Sequence, residues 1–186
     1  MSTVLVLSGS PSQTSKTERV AEHIAHRLTA EGRPAEHLRL RTLPAEPLLA
    51  ADTSDPAIAA AVERLHRADG VVLATPTYKA AYSGLLKVFL DLLPQFGLRG
   101  KAVLPLATGG STAHVLALDY ALRPVVSSLG ARHVVQSLFV IDKHLTVTGD
   151  DLTIHEDTAG PLADVLEQFA KALDGVPHDA VLGRTA

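Results

Sequence analysis

Cysteine and tryptophan are both absent from this 186-residue chain, and methionine occurs once. Without cysteine there is no disulfide, no thiolate nucleophile and no sulfur ligand for a metal. Any redox chemistry must therefore come from a bound cofactor. Charge of one sign is also missing. The 17 Lys and Arg against 20 Asp and Glu leave a net charge of −3, which argues against nucleic acid or a membrane surface as the main partner. No apolar run approaches the roughly 18 residues that span a bilayer. The amino terminus opens on a strand pattern, with no basic region, apolar core and cleavage site in series, so a cytoplasmic location is expected. The nine histidines are scattered. His23 and His26, next to Glu22 and Arg27, read as surface residues, and no metal site is expected.

What is present is a globular composition, 46% hydrophobic and 20% charged, long enough for one domain with a substantial core. Apolar runs alternate with helical patterns. Strands are expected over 3–8, 35–40, 70–74, 102–107 and 133–139. Helices are expected over 17–30, 55–68, 82–93, 112–129 and 161–173, with a small hairpin over 146–154. Pro44 and Pro47 read as loop. Short apolar strands alternating with helices imply a parallel sheet covered on both faces. Five such strands suit a flavodoxin-like three-layer α/β sandwich in the strand order 2-1-3-4-5. Residues 1–174 would form this domain and 175–186 a loose tail.

Ligands of such sheets bind outside the strand carboxyl ends, which directs attention to three loops. The first, Gly9-Ser10-Pro11-Ser12-Gln13-Thr14-Ser15-Lys16-Thr17, follows a buried strand and opens a helix. Free amides and the dipole at a helix start favour an anion there, and the hydroxyls and Lys16 add donors. An N-cap loop that binds nothing is the competing reading. The second runs from Thr75 to Gly84. It sets Pro76, Thr77, Tyr78 and Lys79 beside Tyr82 and the small residues Ala80, Ala81 and Gly84, which would let a flat ring approach the backbone. The third, Thr108-Gly109-Gly110-Ser111, leaves backbone N–H groups uncovered. A phosphate cradle, an aromatic-flanked slot and a glycine-rich wall suit a phosphorylated planar heterocycle. Flavin mononucleotide (FMN) meets all three requirements.

These residues also carry a resemblance. Gly-Ser-Pro with Ser15-Lys16-Thr17, the block from Ala74 to Lys87, the block from Gly100 to Gly110, and the stretch from Ala113 to Val126 resemble the NADPH-dependent FMN reductases. Within that family they are similar to the reductase of the bacterial two-component alkanesulfonate monooxygenase systems. The similarity covers most of residues 1–140. It implies that Ser10, Ser15, Lys16 and Thr17 hold the FMN phosphate, with Ser12 where the family often has Arg. That substitution bears on phosphate affinity and on the choice between NADPH and NADH, and Lys16 can compensate. It further implies that Pro76, Thr77, Tyr78 and Lys79 line the ring and its polar edge, and that Thr108, Gly109, Gly110 and Ser111 line the opposite side. Hydride would pass from nicotinamide C4 to flavin N5, with no side chain nominated as acid or base. Lys79 or the Gly109-Gly110 amides would stabilise charge near N1. Arg99, Lys101 and Arg123 are candidates for the 2′-phosphate of NADPH.

Tyr120 lies in a helical pattern four residues before Pro124, which cannot donate a hydrogen bond to the Tyr120 carbonyl and would clash with it. A kink or π-bulge follows. The Ala-Leu-Asp-Tyr-Ala-Leu-Arg-Pro string resembles the version found in the alkanesulfonate-system reductases. That likeness implies a π-helix at a tetramer interface, FMN held loosely as a substrate, and a role in sulfur assimilation with delivery to a monooxygenase component. An ordinary half-buried aromatic is the alternative for Tyr120, and His114 reads as a local hydrogen-bonding residue. Other functions stay open: a reductase with tightly bound FMN acting on quinones, azo dyes or metal oxyanions, or a flavodoxin-type carrier. A P-loop NTPase is disfavoured, because the Walker pattern requires Gly where Ser15 stands.

Overall fold

Runs with no charged side chain are comfortable only where both faces are covered, and here they form the middle of a parallel sheet. A computed structural model describes residues 2–131, 133–149 and 151–175. The expected tail lies, apart from Gly175, outside the described residues. The strands are β1 (Val4–Ser8), β2 (Ala35–Arg39), β3 (Gly70–Tyr78), β4 (Ala81–Tyr82), β5 (Ala102–Gly109), β6 (His133–Val134) and β7 (Leu138–Ile141). They are followed by a separate hairpin, β8 (Leu145–Thr148) and β9 (Asp151–Ile154). The order is β2-β1-β3-β5-β6, with β7 continuing beside β5 and β4 folding back on β3. This is the expected 2-1-3-4-5 order, with the fifth strand in two pieces and one short strand added.

The helices are α1 (Lys16–Ala30), α2 (Ala45–Leu49), α3 (Pro56–Arg67), α4 (Gly84–Leu90), α5 (Arg123–Ser128) and α6 (Glu156–Asp174). Alternation along the strands divides the core in two. Leu5, Leu7, Val71, Leu73 and Val103 meet Leu48 of α2, Ile58 and Leu65 of α3, Phe89 of α4 and Val126 of α5. Val4, Val6, Val72, Leu104 and Leu106 meet Val20, Ile24 and Leu28 of α1 and Val165, Phe169 and Leu173 of α6. With both faces covered, the carboxyl ends of β1, β3 and β5 share one edge, and their loops converge there.

The break in the fifth strand has a cause in the fourth. Val103 pairs with Val134 but Leu106 pairs with Leu138, so the fifth strand carries one extra residue, a bulge. Pro105 lies between those pairs. Val135 donates to the Val103 carbonyl while Ala102 donates to Asp69, so Val103 and Pro105 direct their backbone groups toward the fifth strand. Pro105 has no N–H to offer there, and the ladder gives way at that point. Arg123 then satisfies the freed carbonyls of Val134 and Val135.

Other departures are equally local. The loop around Pro44 and Pro47 forms α2, because both prolines occupy its start, where helix donors lack intrahelical acceptors anyway. The last helix begins five residues before Pro161, capped by His155 with Glu156 and Asp157 in its first turn. The expected 82–93 helix is trimmed to α4 because Tyr82 pairs back with Thr77. The expected 112–129 helix is divided into a 3-10 turn over Thr112–His114, a π-helix over Leu118–Leu122, and α5. The Arg123 amide reaches the Leu118 carbonyl, five residues back, directly before Pro124.

Candidate functional site

The three converging loops enclose a cleft of about 230 Å³. Ser10, Ser12, Thr14, Ser15, Lys16 and Thr17 supply one side, and Pro76, Thr77 and Tyr78 a second. Thr108, Gly109 and Gly110 supply a third, and Asp142, past the end of β7, closes the ring. Eleven of the thirteen residues expected at the cofactor are lining residues; Lys79 and Ser111 stand outside that set. Thr14, one of the first-loop hydroxyls, joins the lining beyond the thirteen, and Asp142 was missed. Asp142 carries no signal in the sequence, since it contributes through position at the end of the fifth strand.

The hydroxyls of the first loop brace it. The Ser12 amide donates to Ser10 Oγ (3.3 Å), the Thr14 amide to Ser12 Oγ (3.2 Å), and the Glu18 amide to Ser15 Oγ (3.1 Å), making Ser15 the N-cap of α1. The Ser10 and Ser15 hydroxyls, used as acceptors, keep their own protons to donate, while Ser12 Oγ also lies 3.3 Å from Thr14 Oγ1. The Lys16 and Thr17 amides, at the first two positions of α1, have no intrahelical acceptor. Thr17 Oγ1 lies 2.7 Å from Thr108 Oγ1 and ties the loop to β5. Lys16 Nζ donates to the Asp142 carbonyl at 2.7 Å, bridging the cleft from α1 to the end of β7. A lone carbonyl leaves that ammonium two further protons and its full charge. Capping by Ser15 therefore does not use up the donors that an anion would need in this loop.

The second loop is latched to the first. Buried Ser83 donates through Oγ to the Gly9 carbonyl, accepts from the Leu86 amide, and its own amide donates to Thr75 Oγ1. Gly9 permits the approach: a Cβ there would stand 2.8 Å from Leu86 Cβ. Beyond β3 the chain turns back through Lys79 (φ 50°) and Ala80 (φ 63°), both left-handed, into β4. Each costs about 1–2 kcal/mol relative to the right-handed region. In the third loop the glycines differ. A Cβ on Gly109 would meet Phe139 Cζ at 2.8 Å, while one on Gly110 would meet no protein atom within 4 Å. Ser111, beyond them, caps the 3-10 turn at Ala113.

The basic residues considered for a 2′-phosphate are committed elsewhere. Lys101 is buried and donates to the His66 and Ala68 carbonyls. Arg99 stacks over Phe96, 4.3 Å from the ring centre, just before β5 and away from the carboxyl-end edge. Arg123 serves Asp119, Ser137 and the bulge.

Behind the first loop, buried Glu18 sits between Arg39 and Arg41. Burial pushes its carboxyl up, but hydrogen bonds from Arg41 and Arg39 outweigh that and hold it below the usual range. Next to it His37 hydrogen-bonds Ser8 Oγ (2.9 Å), and its Nδ1 is buried without a partner. Burial, reinforced by Arg39, lowers its pKa to about 4. His23, expected at the surface, is half-buried beside Asp151 and Leu152, and burial lowers its pKa too. A histidine whose folded pKa is depressed leaves the unfolded state holding the extra proton between the two values. Stability is therefore expected to be full above pH 6.5 and to fall as pH drops from 6.5 to about 4. After allowance for partial exposure the loss from His37 is about 2 kcal/mol. Urea melts across this range check it: His37→Gln should flatten the slope, leaving the smaller contribution of His23.

The π-helix packs against β4, so it borders the second loop. Its outer side and the turn before it present Tyr120 (77% exposed), Leu116 (59%) and Val115 (42%).

Comparison with known proteins places this geometry. The family model described as NADPH-dependent FMN reductase matches residues 2–146. An FMN reductase (NADPH) of Escherichia coli K12 is 45% identical over 142 residues, 76% of this chain and 74% of the relative. An FMN reductase (NADPH) of Pseudomonas putida KT2440 is 42% identical over 182 residues, 97% of this chain and 92% of the relative. The solved apo structure of an NADH:FMN oxidoreductase superposes with a TM-score of 0.76 at 44% identity, covering 94% of this chain and 87% of that one.

Proposed function

The chain belongs to the NADPH-dependent FMN reductase family, and we propose that it reduces FMN with NADPH or NADH and passes the reduced flavin to a monooxygenase component. The observation that carries this reading is the meeting of three chemically different loops in one cleft. The fit to FMN rests on the donors present. Two first-turn amides without acceptors, a half-used ammonium and hydroxyls with free protons suit a dianionic phosphate. Pro76, Thr77 and Tyr78 on one side and the glycine pair on the other leave a slot for a flat ring.

Bound FMN supplies the hydride-accepting atom, which no side chain of this chain provides. The protein's work is placement. Lys16, Ser10, Ser12, Ser15 and Thr17 hold the phosphate, and the Thr17–Thr108 contact fixes that loop against β5. The Ser83 latch sets the height of Tyr78 relative to it. Asp142 engages Lys16 through its carbonyl, so the cation is oriented by a group that does not neutralise it.

Tyr120, Leu116 and Val115 form an apolar surface beside the second loop, and we assign it to contact between copies of this chain in a tetramer. No helix among the described residues is long and apolar enough to cross a membrane, in keeping with work in the cytoplasm. The test is an absorbance scan of the purified protein followed by NADPH and NADH oxidation at varied FMN. Saturable FMN dependence with little bound flavin is expected. Protein that stays yellow through dialysis and reduces quinones without added FMN would favour the tightly bound alternative. Tyr120→Ala is expected to lower the oligomeric state in light scattering and to change the flavin content. If both match the unaltered protein, the π-helix has no such role.

A further inference from the structure

Lys79 and Ala80 occupy consecutive left-handed positions at the tip of the β3–β4 hairpin. Two-residue turns of this kind favour Asn-Gly, because a Cβ at positive φ crowds the following carbonyl. Nothing in the local chemistry of Lys-Ala favours them. The turn is instead imposed from both arms. Thr77 pairs with Tyr82, Tyr78 pairs with Ala81, and Ser83 at the base is fixed to Thr75 and Gly9. Strain that the surroundings enforce beside a cleft fixes where the backbone presents that residue and points to a role there.

The residue so presented carries an exposed ammonium with no hydrogen bond or ion pair among the described residues. Pro76, Thr77 and Tyr78 line the cleft, and Lys79 follows them in the turn just beyond that lining. Besides Lys16, two exposed lysines follow lining residues, Lys79 after Tyr78 and Lys143 after Asp142, and of these Lys79 stands on the strained turn. Lys16 is inside, tied to Asp142, and Lys79 is outside and unengaged. Arg99, Lys101 and Arg123 are occupied elsewhere.

Resting on the reductase reading, we infer that Lys79 docks the phosphates of the nicotinamide dinucleotide at the rim, while Lys16 serves the flavin phosphate within. To give hydride to a flavin held in the cleft, a dinucleotide would have to bring its nicotinamide ring to that flavin, and its phosphates would then need a site other than the first loop. A rigid turn carrying one free cation is suited to catch them. This moves Lys79 from the flavin ring edge to the second substrate.

Lys79→Asn separates charge from folding. Asparagine tolerates the left-handed region better than lysine, so the variant should melt no lower than the unaltered protein. Its KM for the nucleotide should rise about tenfold, the scale of one charge-assisted hydrogen bond at an exposed site, with kcat and the FMN KM unchanged. Lys79→Arg should restore the KM to within about threefold. A rise with both NADPH and NADH assigns the diphosphate, and a rise with NADPH alone assigns the 2′-phosphate; either upholds the inference. An unchanged nucleotide KM, or a rise in the FMN KM instead, overturns it. Calorimetric titration of NADP+ and NAD+ onto both proteins saturated with FMN gives the same comparison without turnover. Weaker binding to Lys79→Asn upholds the inference even if FMN-dependent oxidation is absent, a result that would sink only the reductase reading.

Discussion

Lys16→Ala should weaken FMN binding about a hundredfold, measured by quenching of flavin fluorescence, while lowering stability by only about 1 kcal/mol. The two effects separate because the Lys16 side chain makes a single bond among the described residues, to the Asp142 carbonyl, and a hydrogen bond of that kind contributes about 1 kcal/mol. Toward a phosphate the same ammonium makes a charge-assisted bond in a partly enclosed site, worth about 1.5–3 kcal/mol. The upper part of that range is about a hundredfold in affinity. Lys16→Arg should recover part of the loss, since the charge returns on a longer and planar group. Thr17→Val is the informative contrast. It removes a hydroxyl and also strands Thr108 Oγ1, its buried partner at 2.7 Å, so affinity and stability should fall together. An FMN affinity unchanged in Lys16→Ala and in Thr17→Val would place the phosphate outside this loop.

The sequence displays this site well because its chemistry is written in consecutive residues. Ser10 to Thr17 is a single turn and cap, and Thr108 to Gly110 is a single strand end, so local composition reports which segments line the cleft. The parallel sheet was legible for a related reason: strands buried on both faces must be apolar throughout, as Val4–Leu7 and Val71–Ala74 are. What escaped depends on distance. Asp142 reaches the cleft only because the fifth strand ends beside β5. The split of that strand is dictated by Pro105 on its neighbour, and no residue between 134 and 138 announces it. β4 escaped because Lys-Ala is a poor turn pair; the turn is held from Ser83 and Thr75 and not by its own residues. The π-helix is the opposite case, since Pro124 acts on the backbone four residues before it and can be read from the chain.

The Ser83 latch should be the most sensitive point of the fold near the site. Ser83→Ala leaves the Gly9 carbonyl and the Leu86 amide without partners in a region with almost no water access. Each stranded group costs about 1–3 kcal/mol, and the lost cap on α4 is included in the second. A total near 3 kcal/mol corresponds to a Tm lower by roughly 6–12 °C for a domain of this size. Gly9→Ala attacks the same junction from the other side. Its Cβ would stand 2.8 Å from Leu86 Cβ, an atom fixed to the helix backbone, and 3.0 Å from Ser83 Oγ, so overpacking should cost about 1–3 kcal/mol. The double variant should be less destabilised than the sum, because both changes displace α4 from the same carbonyl. Additive losses would mean that Gly9 and Ser83 act through separate contacts. In Ser83→Ala the FMN affinity should also fall severalfold although Ser83 does not line the cleft, since Tyr78 and Ser10 keep their relative positions only while β3 and the first loop are joined. A variant that melts lower but binds FMN as before would show that the latch stabilises the fold without setting the geometry of the site.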